Sequence, residues 1–173
     1  GFTFNILAGA LFMLLLLRSY GLGYPAAFAG AAACVFTTKM LGTPHTNRIV
    51  TFIHLPFILY ALRRLWDTRK WIFMVLLGGS VGSQIGSYHP QVAYYGLLLI
   101  GLYSVYRLIH GLIEKETWTR LVTPMGMTGV SLAIGYYLAS IVLIHMQEYL
   151  PFSIRGAGGS SGTGGLSFDY ATG

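Results

Sequence analysis

Ser87-Tyr88-His89-Pro90-Gln91-Val92-Ala93-Tyr94-Tyr95-Gly96 joins two long apolar runs, Trp71–Ser87 and Val92–Ile109, and contains no lysine or arginine. A histidine, a glutamine and a tyrosine pair therefore stand at the edge of stretches suited to hydrocarbon. Polar side chains are costly there unless they find partners, so such a cluster is a candidate functional site as well as a turn between two membrane spans. With Pro90 inside it, the segment reads as the connection in a chain that crosses a membrane repeatedly.

The composition agrees. Of 173 residues, 54% are hydrophobic and only 9% charged, and the mean hydropathy is +0.63. Soluble domains carry roughly a quarter charged residues, so the chain falls outside that class. The net charge of +6 does not call for nucleic acid, because basic residues gather in the cytoplasmic loops of membrane proteins. Many of the 12 Tyr, 10 Phe and 3 Trp lie near the ends of apolar runs, where interfacial anchors belong. The single cysteine, Cys34, forms no intrachain disulfide and reads as a small packing residue. The chain enters its first apolar run at once, without the basic segment of a signal peptide.

Six apolar runs are expected to be helices, since about 20 apolar residues span the roughly 30 Å hydrocarbon core. They are Phe2–Leu17, Pro25–Thr38, Ile49–Leu62, Trp71–Ser87, Val92–Ile109 and Leu121–Met146. The second and third are short. The second is largely Ala and Gly, which suits close helix packing. The third contains His54 and Pro56 and reads as kinked, tilted or re-entrant. If all six cross, one side collects Arg18, Arg63, Arg64, Arg69, Lys70, Arg107, Lys115 and Arg120, and the other only Lys39, Arg48 and Arg155. This bias places the first side in the cytoplasm. The N-terminus, the segment around His45, the His89 turn and the tail then face outward, and the cytoplasmic residues read as ordinary anchors. Residues 1–150 form the expected transmembrane helical domain. Residues 151–173 form an outward segment whose run Gly156–Gly165 serves either as a linker or as a loop closing over a site.

Five short pieces, in order, carry a family resemblance. They are Leu7-Ala8-Gly9-Ala10-Leu11-Phe12-Met13-Leu14-Leu15-Leu16-Leu17-Arg18; Pro44-His45-Thr46-Asn47-Arg48-Ile49 followed by Leu55-Pro56-Phe57-Ile58-Leu59; His89-Pro90-Gln91-Val92-Ala93-Tyr94-Tyr95; Glu148-Tyr149-Leu150-Pro151-Phe152-Ser153-Ile154-Arg155-Gly156; and Phe168-Asp169-Tyr170-Ala171-Thr172. Together they resemble the YfhO family of bacterial polytopic membrane proteins, which are similar to GT-C glycosyltransferases. The resemblance implies an all-α polytopic bundle forming part of a GT-C fold in the bacterial inner membrane. It also implies transfer of a sugar from a polyprenyl-phosphate donor to an acceptor outside the cytoplasm. GT-C enzymes place a catalytic acid in their first outward loop, and this sequence begins after that region. An internal piece of a longer protein is expected.

Such a transfer needs a carboxylate to deprotonate the acceptor hydroxyl and cations to hold the leaving phosphate. The outward carboxylates are Glu148 and Asp169, the candidate catalytic residues. Arg48 and Arg155 suit phosphate because guanidinium meets its oxygens in bidentate fashion, with Lys39 as an auxiliary charge. His89, Gln91, His45 and Asn47 complete the candidate substrate-binding set. Each has a plainer reading: Glu148 and Arg155, seven residues apart, fit a simple ion pair, Asp169 a turn, Arg48 an interfacial anchor. His45 and His89 match no zinc spacing, so no metal is assigned, although with Glu148 they are a possible divalent-cation set. His54, His110 and His145 lie in or at the ends of spans. They suit hydrogen bonds between helices, or axial ligation of haem or a chlorophyll-type pigment. The alternative function is an accessory subunit of a larger membrane complex that holds pigment or lipid. The expected partners are membrane lipid, a lipid-linked sugar donor and such a complex, and no nucleic acid.

Overall fold

A computed structural model of the chain describes residues 2–36, 46–87 and 90–149, and all regular structure among them is helical. Among the described residues six helices follow one another: α1 (Phe2–Ser19), α2 (Tyr24–Val35), α3 (Thr46–Thr68), α4 (Trp71–Gly86), α5 (Pro90–Ile113) and α6 (Trp118–Tyr149). Each expected run is a helix, with ends moved by a few residues. The chain divides into two compact units, 1–141 and 142–173, and of the second only the last turns of α6 are described.

The largest departure from expectation is α3. In place of a short or re-entrant segment, an uninterrupted helix of 23 residues runs through Pro56 and on through Arg63, Arg64 and Asp67. Proline removes one backbone donor and sets φ near the helical value, so a helix packed on several sides tolerates it. α3 is the least apolar of the six helices, yet it supplies most of the core: Ile58, Ala61, Leu62, Leu65 and Trp66 pack with Leu77 and Val81 of α4 and Ile100 of α5.

The outer helices show the opposite pattern. α5 and α6 are long and apolar enough to cross a membrane; at 1.5 Å per residue they extend about 36 Å and about 48 Å. Their side chains face largely outward, with Leu102, Ile113, Tyr137 and Ile141 all more than 60% exposed. Buried positions include Ser80, Gln84, Ser104, Thr128 and Ser131. Three of these hydroxyls bond back to their own helix, Ser80 to the Leu76 carbonyl, Thr128 to Pro124 and Ser131 to Met127, each at 2.8 Å. Such back-bonding lets a hydroxyl be buried without a partner from another helix.

α4 and α6 meet almost backbone to backbone. A Cβ on Gly78 would lie 2.9 Å from the Ser131 carbonyl oxygen, and one on Gly82 3.0 Å from that of Gly135. Reciprocally, a Cβ on Gly135 would lie 2.9 Å from the Gly78 carbonyl. Gly78/Gly82 and Ser131/Gly135 are both small residues four apart, the spacing that lets helices approach closely inside a membrane. α1 ends in a turn that needs glycine: Gly21 has φ +84°, and the Gly21 and Leu22 amides donate to the Arg18 and Leu17 carbonyls, closing the last turn.

Gly82→Val and Gly135→Val are expected to lower the unfolding midpoint of the detergent-solubilised chain, since overpacking costs roughly 1–3 kcal/mol. Gly101→Ala, with open space around it, is expected to be neutral or mildly stabilising. Equal stability of all three variants would show that α4 and α6 do not meet at these glycines.

Candidate functional site

Charged side chains converge where α3 and α5 end and α6 begins. Asp67, in the last turn of α3, accepts from Arg107 Nη1 of α5 at 2.9 Å and stands 3.7 Å from Arg63 Nε, one turn back along α3. All three are half-buried, so the attraction is less screened than at an open surface. Aromatic faces carry the remaining cationic edges: the Arg63 guanidinium lies 4.0 Å from the Tyr20 ring centre, Arg107 5.8 Å from Trp66, Arg64 5.5 Å from Phe73, and Arg18 3.8 Å from Tyr24. Weakly hydrated guanidinium groups stack well in this way. These contacts bring Arg18, Arg63, Arg64 and Arg107 to one end of the described helices. They are more than anchors, because Asp67 ties two of them together.

Beside this network lies a cleft of about 300 Å³. The end of α3 contributes Trp66 and Asp67, and the residue just beyond it Arg69. α5 contributes Arg107 and His110, the turn after it Glu114 and Glu116, and the first turn of α6 Arg120. His110 Nδ1 is 3.4 Å from Glu114 Oε2, an exposed pair. Arg69 and Lys115 hold left-handed backbone conformations, φ +54° and +55°. They occupy helix C-terminal positions that usually go to glycine, at a cost of about 1–2 kcal/mol each. Their charges sit where the negative ends of the α3 and α5 dipoles favour cations. A cleft with both guanidinium and carboxylate groups suits a ligand carrying both signs of charge. Sequence reading missed it because its members come from three separated stretches, each of which looks like an ordinary basic loop.

The residues singled out from sequence lie elsewhere. Gln91 is in the first turn of α5, exposed, and its Nε2 donates to Tyr95 Oη at 3.1 Å. The Tyr94 and Tyr95 rings stand 6.0 Å apart. Gln91 and His110 are 19 residues apart on one helix, so about 28 Å separates that turn from the charged cleft. Asn47 and Arg48 lie in the first turn of α3 and Glu148 in the last turn of α6, with side chains outside the described residues. His45, His89, Arg155, Asp169 and the Gly156–Gly165 run, like Lys39, also lie outside them. His54 packs its ring 6.3 Å from Phe12, between α3 and α1, and His145 lies on α6. Among the described residues, no group of three His, Cys, Asp or Glu side chains is placed to hold a metal ion.

Comparison with protein-family models, with curated proteins and with solved structures finds no match for this chain.

The Asp67–Arg107 contact is testable on its own. Asp67→Asn and Arg107→Gln are each expected to destabilise the bundle, with a coupling of about 1 kcal/mol in a double-mutant cycle. Strictly additive effects would mean that the pair does not hold α3 to α5.

Proposed function

We propose that this chain is a multi-pass bundle of the bacterial inner membrane, and that it belongs to a YfhO-like protein resembling lipid-linked sugar transferases. One observation supports the membrane assignment above the others. The polarity of the bundle is inverted, with its most polar helix at the centre and Leu, Ile and Phe side chains of α1, α5 and α6 outermost. In water that surface would be a severe liability, whereas in lipid it is the expected one. The transferase assignment rests on the five ordered motifs, above all His89-Pro90-Gln91 at the α4–α5 connection.

In this reading the charged cleft faces the cytoplasm and the His89 turn faces outward. Glu148 or Asp169 takes the proton of the acceptor hydroxyl as its oxygen bonds to the anomeric carbon. The bond from that carbon to the phosphate oxygen of the donor breaks, and Arg48 and Arg155 stabilise the departing polyprenyl phosphate. His89, Gln91, His45 and Asn47 orient the sugar and the phosphate through hydrogen bonds.

Two experiments address these two levels separately. In a Cys34→Ser background, a membrane-impermeant thiol reagent is expected to reach Thr117→Cys only from the cytoplasm and Thr163→Cys only from outside. Labelling of both from one side would overturn the topology. In the protein that contains this chain, His89→Ala and Arg155→Ala are expected to lower glycan transfer by roughly 10²-fold or more while the protein remains folded. Full transfer in both would remove these residues from the site. Absence of transfer in the parent protein, with co-purification in fixed ratio with a larger complex, would replace the transferase by the accessory-subunit reading.

A further inference from the structure

The charges lining the cleft do not balance among themselves. Arg107 is matched by Asp67, and His110 by Glu114. Arg69, Arg120 and Glu116 also line the cleft, and their side chains have no ion-pair partner among the described residues. Trp66, only 2% exposed, lines it as well, and its indole Nε1–H is buried with no acceptor among them. Two guanidinium groups call for an oxyanion, and a single carboxylate calls for a hydrogen-bonding cation.

The surroundings indicate what carries these charges. Ile109, Leu112 and Ile113 of α5 and Val122 of α6 expose apolar side chains next to the cleft residues along their helices. Trp71 and Trp118, 68% and 67% exposed at this same end, suit the level where indole rings settle between hydrocarbon and water. A ligand with its charged part in the cleft therefore has an acyl-covering surface beside it. A volume of about 300 Å³ lies at the small end of ligand sites and fits a headgroup rather than a whole lipid.

We propose that this cleft binds the headgroup of an aminophospholipid, with Arg69 and Arg120 on the phosphodiester and Glu116 on the primary ammonium. The assignment rests on the membrane reading above for the acyl chains, and on the cleft alone for the headgroup. It explains why Arg69 occupies a left-handed position that glycine would hold without strain: the site needs its side chain.

The test uses the full chain in detergent, titrated with short-chain phosphatidylethanolamine and followed by tryptophan fluorescence. Phosphatidylcholine, phosphatidylglycerol and free phosphoethanolamine are run in parallel. Phosphatidylethanolamine is expected to bind at least about tenfold more tightly than phosphatidylcholine, whose quaternary ammonium cannot donate to Glu116. Arg120→Lys and Arg69→Gly are each expected to weaken it by about tenfold, since bidentate phosphate contacts are lost. Glu116→Gln is expected to erase the preference over phosphatidylglycerol without weakening phosphatidylglycerol itself. Equal affinity for all three lipids, a preference for phosphatidylglycerol in the unaltered chain, or indifference to these variants would overturn the proposal. Free phosphoethanolamine binding as tightly as the lipid would overturn the lipid assignment, and the thiol-labelling topology would still stand or fall independently.

Discussion

The arrangement of this bundle follows from the need to enclose α3. That helix carries His54, Pro56, Arg63, Arg64 and Asp67, and in the membrane proposed above these are too many polar groups to face hydrocarbon. Surrounding it with α1, α4 and α5 leaves their apolar faces outermost and gathers Ile58, Leu62 and Leu65 against Leu77, Val81 and Ile100. In the membrane proposed above, water cannot drive this packing, because lipid tails are as apolar as leucine. Close contact and satisfied hydrogen bonds must do so instead. The glycines at the α4–α6 crossing and the back-bonded Ser80, Thr128 and Ser131 are the devices that meet that demand.

The same helix sets the electrostatics. α3 ends with Arg63, Arg64 and Asp67 in its last two turns, and α5 returns to that level with Arg107. One carboxylate between two guanidinium groups leaves net positive charge, which the aromatic faces of Tyr20, Phe73 and Trp66 partly accommodate. Carbonyls at the ends of α3 and α5 point toward the same region and favour the cations there. A cationic helix junction of this kind is stable only where headgroups or water reach it.

Much of the helical architecture was legible because apolar run length is a local property. Phe2–Leu17 and Trp71–Ser87 came within two residues of the observed helices for that reason. α3 was misjudged because Pro56 and the Arg63-Arg64 pair are local warnings, and it is the neighbouring helices that override them. The Gly78/Gly82 spacing was present in the sequence, but its partner Ser131/Gly135 lies some 50 residues on, and only the fold pairs them. The charged cleft was hidden in the same way, spread over the ends of three helices. Of the residues chosen for transfer chemistry, Gln91 alone has a described side chain, and its bond to Tyr95 is one that helical i, i+4 spacing foretells. The others were read from short motifs, whose meaning depends on loops that periodicity does not specify.

The two ends of α5 therefore make different physical demands on one helix. At Gln91 the described contact is the hydrogen bond from its Nε2 to Tyr95 Oη, one turn along α5. At Arg107 and His110 the requirement is charge placement, met by Asp67 and by the cleft. About 28 Å of α-helix separates them, packed through Ile100 against the α3 core and through Gly96 against the buried Gln84 amide. A side chain at Gly96 would strike that amide and push α5 away from α4. The small residue at this crossing thus keeps α5 seated against the core, so that Gln91 and the charged cleft are carried by one helix although neither touches the other.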